Sequence, residues 1–235
     1  MSSGLQDFVP TPFYENRSLI APVLYKYRFA AHAGALLPDA AADRDTAEAM
    51  EMAEHSGDDF QVDAARVSRG LVIINQGGSQ RAAGFALLAQ YREAHLLHGY
   101  AKNVVRTVDT EIAKEKARTG DVDGAIQLAR AVVDYSFDAG DALSLGEATR
   151  VLVESLLARG TSADLKEEQA AIDRLAAEPT DPGFVLFEVP LLRLRALLAR
   201  AHGDAEAYKQ LRDRYRDMAK TLGFEGHVAW AEAMP

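Results

Sequence analysis

The dipeptide Gly-Asp recurs at four places in this chain, at positions 57–58, 120–121, 140–141 and 203–204. Each copy separates two stretches that are rich in good helix formers. Glycine favours the left-handed conformation just beyond the end of a helix, and aspartate caps the start of the next one. Each Gly-Asp pair therefore predicts a corner where one helix ends and another begins, so we expect a series of helical hairpins.

The spacing of the four Gly-Asp pairs predicts an internal duplication. The second pair follows the first by 63 residues, and the fourth follows the third by the same interval. The third and fourth pairs also repeat the first and second at a distance of 83 residues. Two offsets that recur in this way indicate an approximate duplication in which each copy contains two helical hairpins.

Hydrophobic periodicity supports this interpretation. Within "ALSLGEATRVLVESLLAR", the apolar residues Leu145, Ala148, Leu152 and Leu156 fall on one helical face. No stretch has the alternating pattern of a strand, so the predicted fold class is all-α. The predicted antiparallel helix pairs are 18–37 with 43–56, 59–77 with 80–98, 103–119 with 122–138, 142–159 with 164–178, and 184–202 with 204–222. Because a hairpin cannot bury its apolar face alone, we expect these five pairs to stack into an α-α superhelix, or solenoid.

The two ends of the chain carry separate predictions. The last segment, "GFEGHVAWAEAMP", predicts a short capping helix with Trp230 covering the open end of the final pair. Pro10 and Pro12 near the start remove backbone donors and disfavour helix. We therefore predict an extended N-terminal arm over residues 1–17 and a single helical-repeat domain over residues 18–235.

Two segments resemble the tetratricopeptide repeat, or TPR. In "ARTGDVDGAIQLARAVVD", a first helix ends in a small residue and Gly-Asp, and the next helix has the TPR register in Ala125, Ile126 and Ala129. The segment "ARAHGDAEAYKQL" repeats the theme. The chain departs from the family because its units are longer than the usual 34 residues and most lack the Trp and Pro markers. The resemblance implies a TPR-like solenoid.

A longer resemblance covers roughly residues 40–235. The segments "AGDALSLGEATRVLVESLLARG", "AIDRLAAEPTDPGF" and "PLLRLRALLARAHGDAEAYKQL" are similar to the carboxyl-terminal helical region of large actinobacterial signalling proteins. In that family, a P-loop ATPase accompanies either a nucleotide cyclase or a LuxR-type regulator. This chain has no G-x-x-x-x-G-K-[ST] motif, and the dipeptide Gly-Lys does not occur. The resemblance therefore implies only the sensing or scaffolding module.

These observations predict a non-enzymatic, TPR-like scaffold or regulatory module that mediates protein–protein interaction in cytosolic signalling. Two alternatives stay open. One is a helical domain that senses a small molecule within a cyclase or LuxR-type regulatory system. The other is the non-catalytic part of a nucleotide cyclase or ATPase assembly, in which a cyclase or ATPase chain is the partner.

Composition and missing motifs disfavour several other functions. With 26 basic and 35 acidic side chains, the formal net charge is −9, and an acidic surface repels nucleic-acid phosphates and anionic lipid. The chain contains no cysteine, which excludes disulfides and zinc–cysteine sites. The first residues lack the pattern of a signal peptide, so a cytoplasmic location is predicted. No motif predicts a catalytic residue, a metal ion or a cofactor.

The predicted binding surface is the concave groove lined by the first helix of each pair. Charged residues at helical spacing there are the candidate binding residues: Arg66, Arg69, Arg106, Asp109, Glu147, Arg150, Glu188 and Arg195. Because arginine binds carboxylates through two hydrogen bonds, the expected partner is a protein or peptide with an acidic segment. The alternative is that these residues form ion pairs within the array, worth about 0–1 kcal/mol each.

Overall fold

A computed structural model describes residues 26, 27, 30–98, 102–181 and 183–234. These residues contain helices and connecting turns and no strand, which confirms the all-α fold class. The predicted extended arm, residues 1–17, lies outside the described residues. No helix in the described ranges combines the length and the apolar character that crossing a bilayer requires.

Ten α-helices are described, and their starts and ends lie within a few residues of the predicted ones. They are α1 (Ala40–Ser56), α2 (Asp59–Gln76), α3 (Arg81–His98), α4 (Lys102–Arg118), α5 (Val122–Asp138), α6 (Ala142–Arg159), α7 (Ser162–Ala176), α8 (Val185–Ala201), α9 (Ala205–Leu222) and α10 (Glu225–Glu232). A short 3-10 turn, Gly78–Gln80, joins α2 to α3. The predicted C-terminal helix is thus present as α10.

The Gly-Asp corners are confirmed at all four places. The four glycines have φ values of 65°, 94°, 63° and 78°, in the left-handed region that a Cβ disfavours. Each following aspartate accepts a hydrogen bond from an amide in the first turn of the next helix, as Asp121 does from Gly124 N at 3.0 Å. The aspartates that cap α2, α5, α6 and α9 in this way are Asp58, Asp121, Asp141 and Asp204.

The first predicted helix, 18–37, is wrong at its carboxyl end. Helix is present at residues 30–32, and the chain then turns and runs without regular structure to Asp39. Gly34 has a φ of 70°, and Pro38 has no amide to donate, so the chain does not continue as a helix. The Asp39 carboxylate accepts a hydrogen bond from Ala42 N at 2.8 Å and begins α1.

The chain divides into two compact units. The first contains residues 38–88 and the described residues before 31, and the second contains residues 31–37 and 89–235. In the first unit α1 packs on α2. Gly84 lets α2 and α3 come close, since a Cβ there would lie 2.7 Å from Cγ2 of Ile74. The single domain predicted over residues 18–235 stays a prediction.

The second unit has a layered arrangement of helices. Each of α4, α6 and α8 packs on the helix that follows it, and α6 also packs on both α4 and α8. The largest apolar cluster lies among these helices and includes Ile126, Leu152, Leu156 and Phe187, all buried. Full burial of each such side chain contributes about 1.5–3 kcal/mol. These three helices therefore form one continuous layer, and that layer positions the site described next.

Candidate functional site

Six charged side chains of alternating sign lie in series across α4, α6 and α8. We call them the ion-pair row: Glu111, Lys114, Glu147, Arg150, Glu154 and Arg193. The Lys114 Nζ lies 2.8 Å from Glu111 Oε1 and 2.5 Å from Glu147 Oε1. Each interior member of the row therefore contacts an opposite charge on both sides.

Arg150 lies at the centre of the row. Its guanidinium donates two hydrogen bonds to Glu147, at 2.6 and 2.8 Å, and one to Glu154, at 2.6 Å. Glu154 in turn accepts a hydrogen bond of 2.6 Å from Arg193 Nε on α8. Only 8% of the Arg150 side chain and 5% of the Glu147 side chain are exposed. The row is thus largely removed from solvent, where an uncompensated charge would be costly.

The local sequence explains this alignment. Lys114 follows Glu111 by three residues, and Arg150 follows Glu147 by three and precedes Glu154 by four. Residues at these intervals are neighbours on a helix surface, so each helix presents its charges as a cluster. Contacts between α4 and α6 and between α6 and α8 join the clusters into one row.

The row keeps its carboxylates ionised although they are buried. Burial alone would raise the pKa of Glu111, but the Lys114 ammonium and the hydrogen bond from His32 lower it to about 2. Burial opposes ionisation of Glu147 and Glu154 too. Arg150 with Lys114 lowers the pKa of Glu147 well below its ordinary value, and Arg150 with Arg193 lowers the pKa of Glu154.

The end of a short helix and the turn that follows it lie at one side of this row. Residues 31–37, which we call the docked segment, belong to the second unit. Gly34 O accepts a hydrogen bond of 3.1 Å from His227 N, and Ala35 O accepts one of 3.2 Å from Glu225 N. Leu37 N donates to Glu225 Oε2 at 3.2 Å. The carbonyls of the docked segment thus satisfy amides in the first turn of α10, which have no partner within their own helix.

Close contacts with glycine fix the position of the docked segment. A Cβ on Gly34 would lie 2.6 Å from the Trp230 ring, and a Cβ on Gly226 would lie 2.6 Å from Gly34 O. The guanidinium of Arg150 lies 4.8 Å from the centroid of the Trp230 ring. Trp230, predicted to cover the open end of the final helix pair, instead contacts both the docked segment and the row.

Two histidines complete the contacts of the docked segment. His32 Nδ1 donates to Glu111 Oε1 at 2.7 Å, while its buried Nε2 has no hydrogen-bond partner among the described residues. His227 Nε2 donates to the carbonyl of Ala33 at 2.8 Å, so its Nδ1 accepts from the Tyr215 hydroxyl, also at 2.8 Å. Burial lowers the pKa of His227 to about 4 and raises that of Tyr215 to about 12.

The eight sequence candidates divide among different environments. Glu147 and Arg150 belong to the ion-pair row. Asp109 is buried in a second cluster, where it accepts a hydrogen bond of 2.6 Å from Arg92 and one of 3.2 Å from Arg106. Arg106 also lies 4.5 Å from the centroid of the Tyr135 ring. This second cluster joins the carboxyl-terminal half of α3 to α4 and α5.

The other four candidates are not part of the row. In the first unit, Arg66 pairs with Asp63 at 2.8 Å and Arg69 with Asp43 at 2.6 Å. On α8, Glu188 is exposed and accepts a hydrogen bond of 3.1 Å from Gly183 N. Arg195 is also exposed on α8.

Sequence reasoning missed several residues of the site. In α6, Glu154 follows the candidate Arg150 by four residues, so the helical spacing that indicates Glu147 and Arg150 is also a signal for Glu154. Glu111 and Lys114 in α4 are three residues apart, and this spacing is a signal of the same kind. The docked segment carries no comparable signal, because "AAHAGALL" reads as helix. The missed residues are Glu111, Lys114, Glu154, Arg193, His32 and His227.

A separate groove of about 780 Å³ opens between α3, α4 and α5 in the second unit. Its walls combine apolar side chains with two basic groups and one acidic group. They are formed by Ala89, Arg92, Glu93, Leu96, Ile112, Lys116, Gly124, Gln127, Leu128 and Ala131. Its volume lies within the range of small-molecule sites.

Comparison of the chain with protein-family models, with curated proteins and with solved structures gives no match. Within the described ranges, no three histidine, aspartate or glutamate side chains are grouped so as to hold a metal ion.

Proposed function

We propose that this chain is a non-enzymatic, TPR-like scaffold that binds a protein or peptide partner on the face formed by α4, α6 and α8. The contacts of α6 with both α4 and α8 support this proposal, because first helices that pack side by side form the concave layer of such an array. A regulatory role in cytosolic signalling, with a cyclase or ATPase chain as partner, is what the family resemblance implies.

The proposal is supported most strongly by the way in which the second unit binds the docked segment. The second unit holds this seven-residue segment, in which a helix ends at residue 32 and the chain then turns, through main-chain hydrogen bonds to α10 and a side-chain hydrogen bond to Glu111. A partner peptide would be bound by the same kinds of contact. Because the ion-pair row fixes the surrounding side chains before binding, little ordering cost remains for the partner to offset.

The acidic partner predicted from the sequence stays a prediction. Arg150 and Arg193 already bind the carboxylates of Glu147 and Glu154. An acidic segment would therefore bind by replacing a carboxylate of this chain, most directly Glu154, which is the most exposed acid of the row at 27%. Substitution of Glu154 therefore tests directly whether the partner binds on this face.

The test compares Glu154→Gln with the matched control Glu167→Gln. Both substitutions are isosteric, and both remove a carboxylate that pairs with an arginine of another helix, since Glu167 pairs with Arg130 at 2.7 Å. Only Glu154 lies in the row. A partner captured from a lysate of the source cells by the wild-type chain would be purified and titrated against all three proteins.

We expect Glu154→Gln to change the affinity for the partner by about fivefold or more, and Glu167→Gln to leave it within about twofold. Circular dichroism and melting temperature would verify that both variants remain folded. Equal affinities for all three proteins would refute partner binding on this face.

The groove between α3, α4 and α5 favours a second candidate function, the sensing of a small molecule. The exposed side chain of Gln127 lines the groove, so Gln127→Trp would fill it without entering the core. This function predicts that some metabolite in a broad library raises the melting temperature of the wild-type chain and not of Gln127→Trp. A library that shifts neither protein would count against it.

A further inference from the structure

The docked segment is a peptide-like insertion in the second unit. The described residues immediately before it, and residues 38–88 after it, belong to the first unit, whereas residues 31–37 belong to the second. The second unit therefore binds this stretch by noncovalent contacts, and its nearest covalent connection to the segment runs through the first unit. Such a stretch is related to its site as a tethered ligand is to a receptor.

Part of this binding is independent of side-chain identity. Two carbonyls of the segment accept from Glu225 N and His227 N, and one amide donates to the Glu225 carboxylate. Phe224, which precedes α10, has no side-chain acceptor that would cap these amides. Any peptide that adopts the same turn could make the same three hydrogen bonds, and the helix terminus favours the carbonyl dipoles.

Two features of the site select particular residues. The position of Gly34 admits only glycine, because its φ is 70° and a Cβ would lie 2.6 Å from Trp230. Two residues earlier, Glu111 is a buried carboxylate that accepts a hydrogen bond from the imidazole of His32. The site therefore selects a proton-donating side chain, then any residue, then glycine.

We propose that this site recognises a partner segment of the pattern His-x-Gly that ends a helix and turns at its glycine, and that the docked segment is an intramolecular occupant which such a partner displaces. The proposal rests on the proposed function, and it names the chemistry of the partner and the competition for the site. The occupant fits imperfectly, because the buried Nε2 of His32 lacks a hydrogen-bond partner in the described part of the chain. That unsatisfied group makes docking of the segment weaker than a fully hydrogen-bonded contact would be.

The effective concentration of the tethered segment determines how much its removal raises the affinity for a free peptide. A segment tethered to its own site competes at an effective concentration on the order of millimolar, so a free peptide at micromolar concentration hardly displaces it. Weakening the tethered segment removes the competitor and leaves the site itself unchanged. The affinity for a free peptide should then rise by about tenfold or more.

The experiment uses the full chain and a fluorescein-labelled synthetic peptide with the sequence of residues 30–38, AAHAGALLP. Gly34→Val prevents the tethered segment from docking, and fluorescence anisotropy measures binding of the peptide to wild type and variant. We expect the variant to bind at least about tenfold more tightly than the wild type. A peptide with valine in place of its glycine should bind neither protein. Equal binding of the first peptide to both proteins, or no binding to the variant, would overturn the proposal.

A second variant keeps the test decisive if Gly34→Val does not fold. His32→Ala removes the hydrogen bond to Glu111 without adding bulk, and it should raise the affinity for the peptide by a smaller factor. The single tryptophan of the chain, Trp230, contacts Gly34 and gives an independent signal. Its emission should shift to longer wavelength in either variant and return when the peptide is added. Unchanged affinity and emission in His32→Ala would also overturn the proposal.

The outcomes separate this proposal from the proposed function. If neither opened variant binds the peptide, but Glu154→Gln still changes the affinity for the captured partner, then competition is refuted and the scaffold function stands. If the peptide binds as expected and Glu154→Gln has no effect, then the site exchanges peptides but the partner does not bind on this face.

Discussion

The two units of this protein pair their arginines differently. In the first unit, Arg66 and Arg69 each bind one aspartate, and these pairs remain partly in solvent, with 31% of Arg66 and 41% of Asp43 exposed. In the second unit, Arg150 binds two glutamates and is nearly buried. The first unit therefore has separate surface ion pairs, whereas the second has a continuous buried row.

The difference shows what burial demands of a charged group. A surface ion pair loses little solvation free energy when it forms and gains little electrostatic free energy. It therefore needs no further charged partner. Removing a charge from water costs several kcal/mol, and this cost is offset only when each charge has close, hydrogen-bonded opposite charges. The ion-pair row meets this condition because α4, α6 and α8 place their charged clusters side by side. The docked segment therefore lies beside side chains whose positions are held by the ion pairs of the row.

The largest expected effect comes from breaking the row at its centre. Arg150→Ala leaves Glu147 without its bidentate partner and removes one of two partners from Glu154, and it also removes the contact with Trp230. We expect a loss of about 3–5 kcal/mol in the free energy of unfolding. Arg66→Ala, the matched change in the first unit, should cost about 0–1 kcal/mol. Urea denaturation of both variants measures the difference, and equal losses would show that the row is not a coupled network.

An intermediate effect concerns pH and the docked segment. Burial lowers the pKa of His227 from its ordinary 6.5 to about 4, so between these values the unfolded chain binds a proton that the folded chain does not. Stability from this group is therefore complete above pH 6.5 and is lost as pH falls towards 4. The full loss is about 3 kcal/mol.

Protonation would also remove the Nδ1 lone pair that accepts from Tyr215. Urea titrations at pH 7, 5.5 and 4.5 would measure the dependence, and His227→Gln should flatten it. His55→Gln, on α1 of the first unit, serves as the control substitution. A slope that persists in His227→Gln would assign the pH dependence to other groups.

The smallest expected change in stability concerns a buried carboxylate in the second unit, which can be compared with the paired carboxylates of the row. Glu168 on α7 is fully buried, but neither of its carboxylate oxygens has a hydrogen-bond partner within the described ranges. Burial, together with the nearby Asp164, raises its pKa. Glu168→Met should therefore stabilise the protein at pH 7 by about 1–2 kcal/mol, because it removes an unsatisfied buried group. Glu147→Met should destabilise it, and a loss in both variants would mean that pairing does not distinguish the two carboxylates.

Most of the fold could be predicted because its signals are local. Gly-Asp determines both a helix end and a helix start within two residues, so the corners and the order of helices followed from the sequence. The end of the first predicted helix could not be predicted in the same way. "AAHAGALL" has the composition of a helix, but Gly34 takes a left-handed conformation, and hydrogen bonds to α10, nearly two hundred residues later in the sequence, hold the segment in place.

The site could be predicted only in part. Glu147 and Arg150 are charges inside an apolar helix, and both belong to the row. In α8, the local pattern does not distinguish among the charged residues. Glu188 and Arg195 were therefore chosen as candidates, whereas Arg193 is the residue that binds Glu154. The contribution of His32 depends on tertiary contacts that no local pattern encodes.

Native-state amide hydrogen exchange would show whether the second unit binds residues 31–37 as a peptide. The amides of Glu225 and His227 lie in the first turn of α10, where only the carbonyls of Ala35 and Gly34 protect them. We predict slow exchange of both amides in the wild type and fast exchange in Gly34→Val, with α4 and α6 protected equally in the two proteins. Fast exchange of both amides in the wild type would contradict the claim.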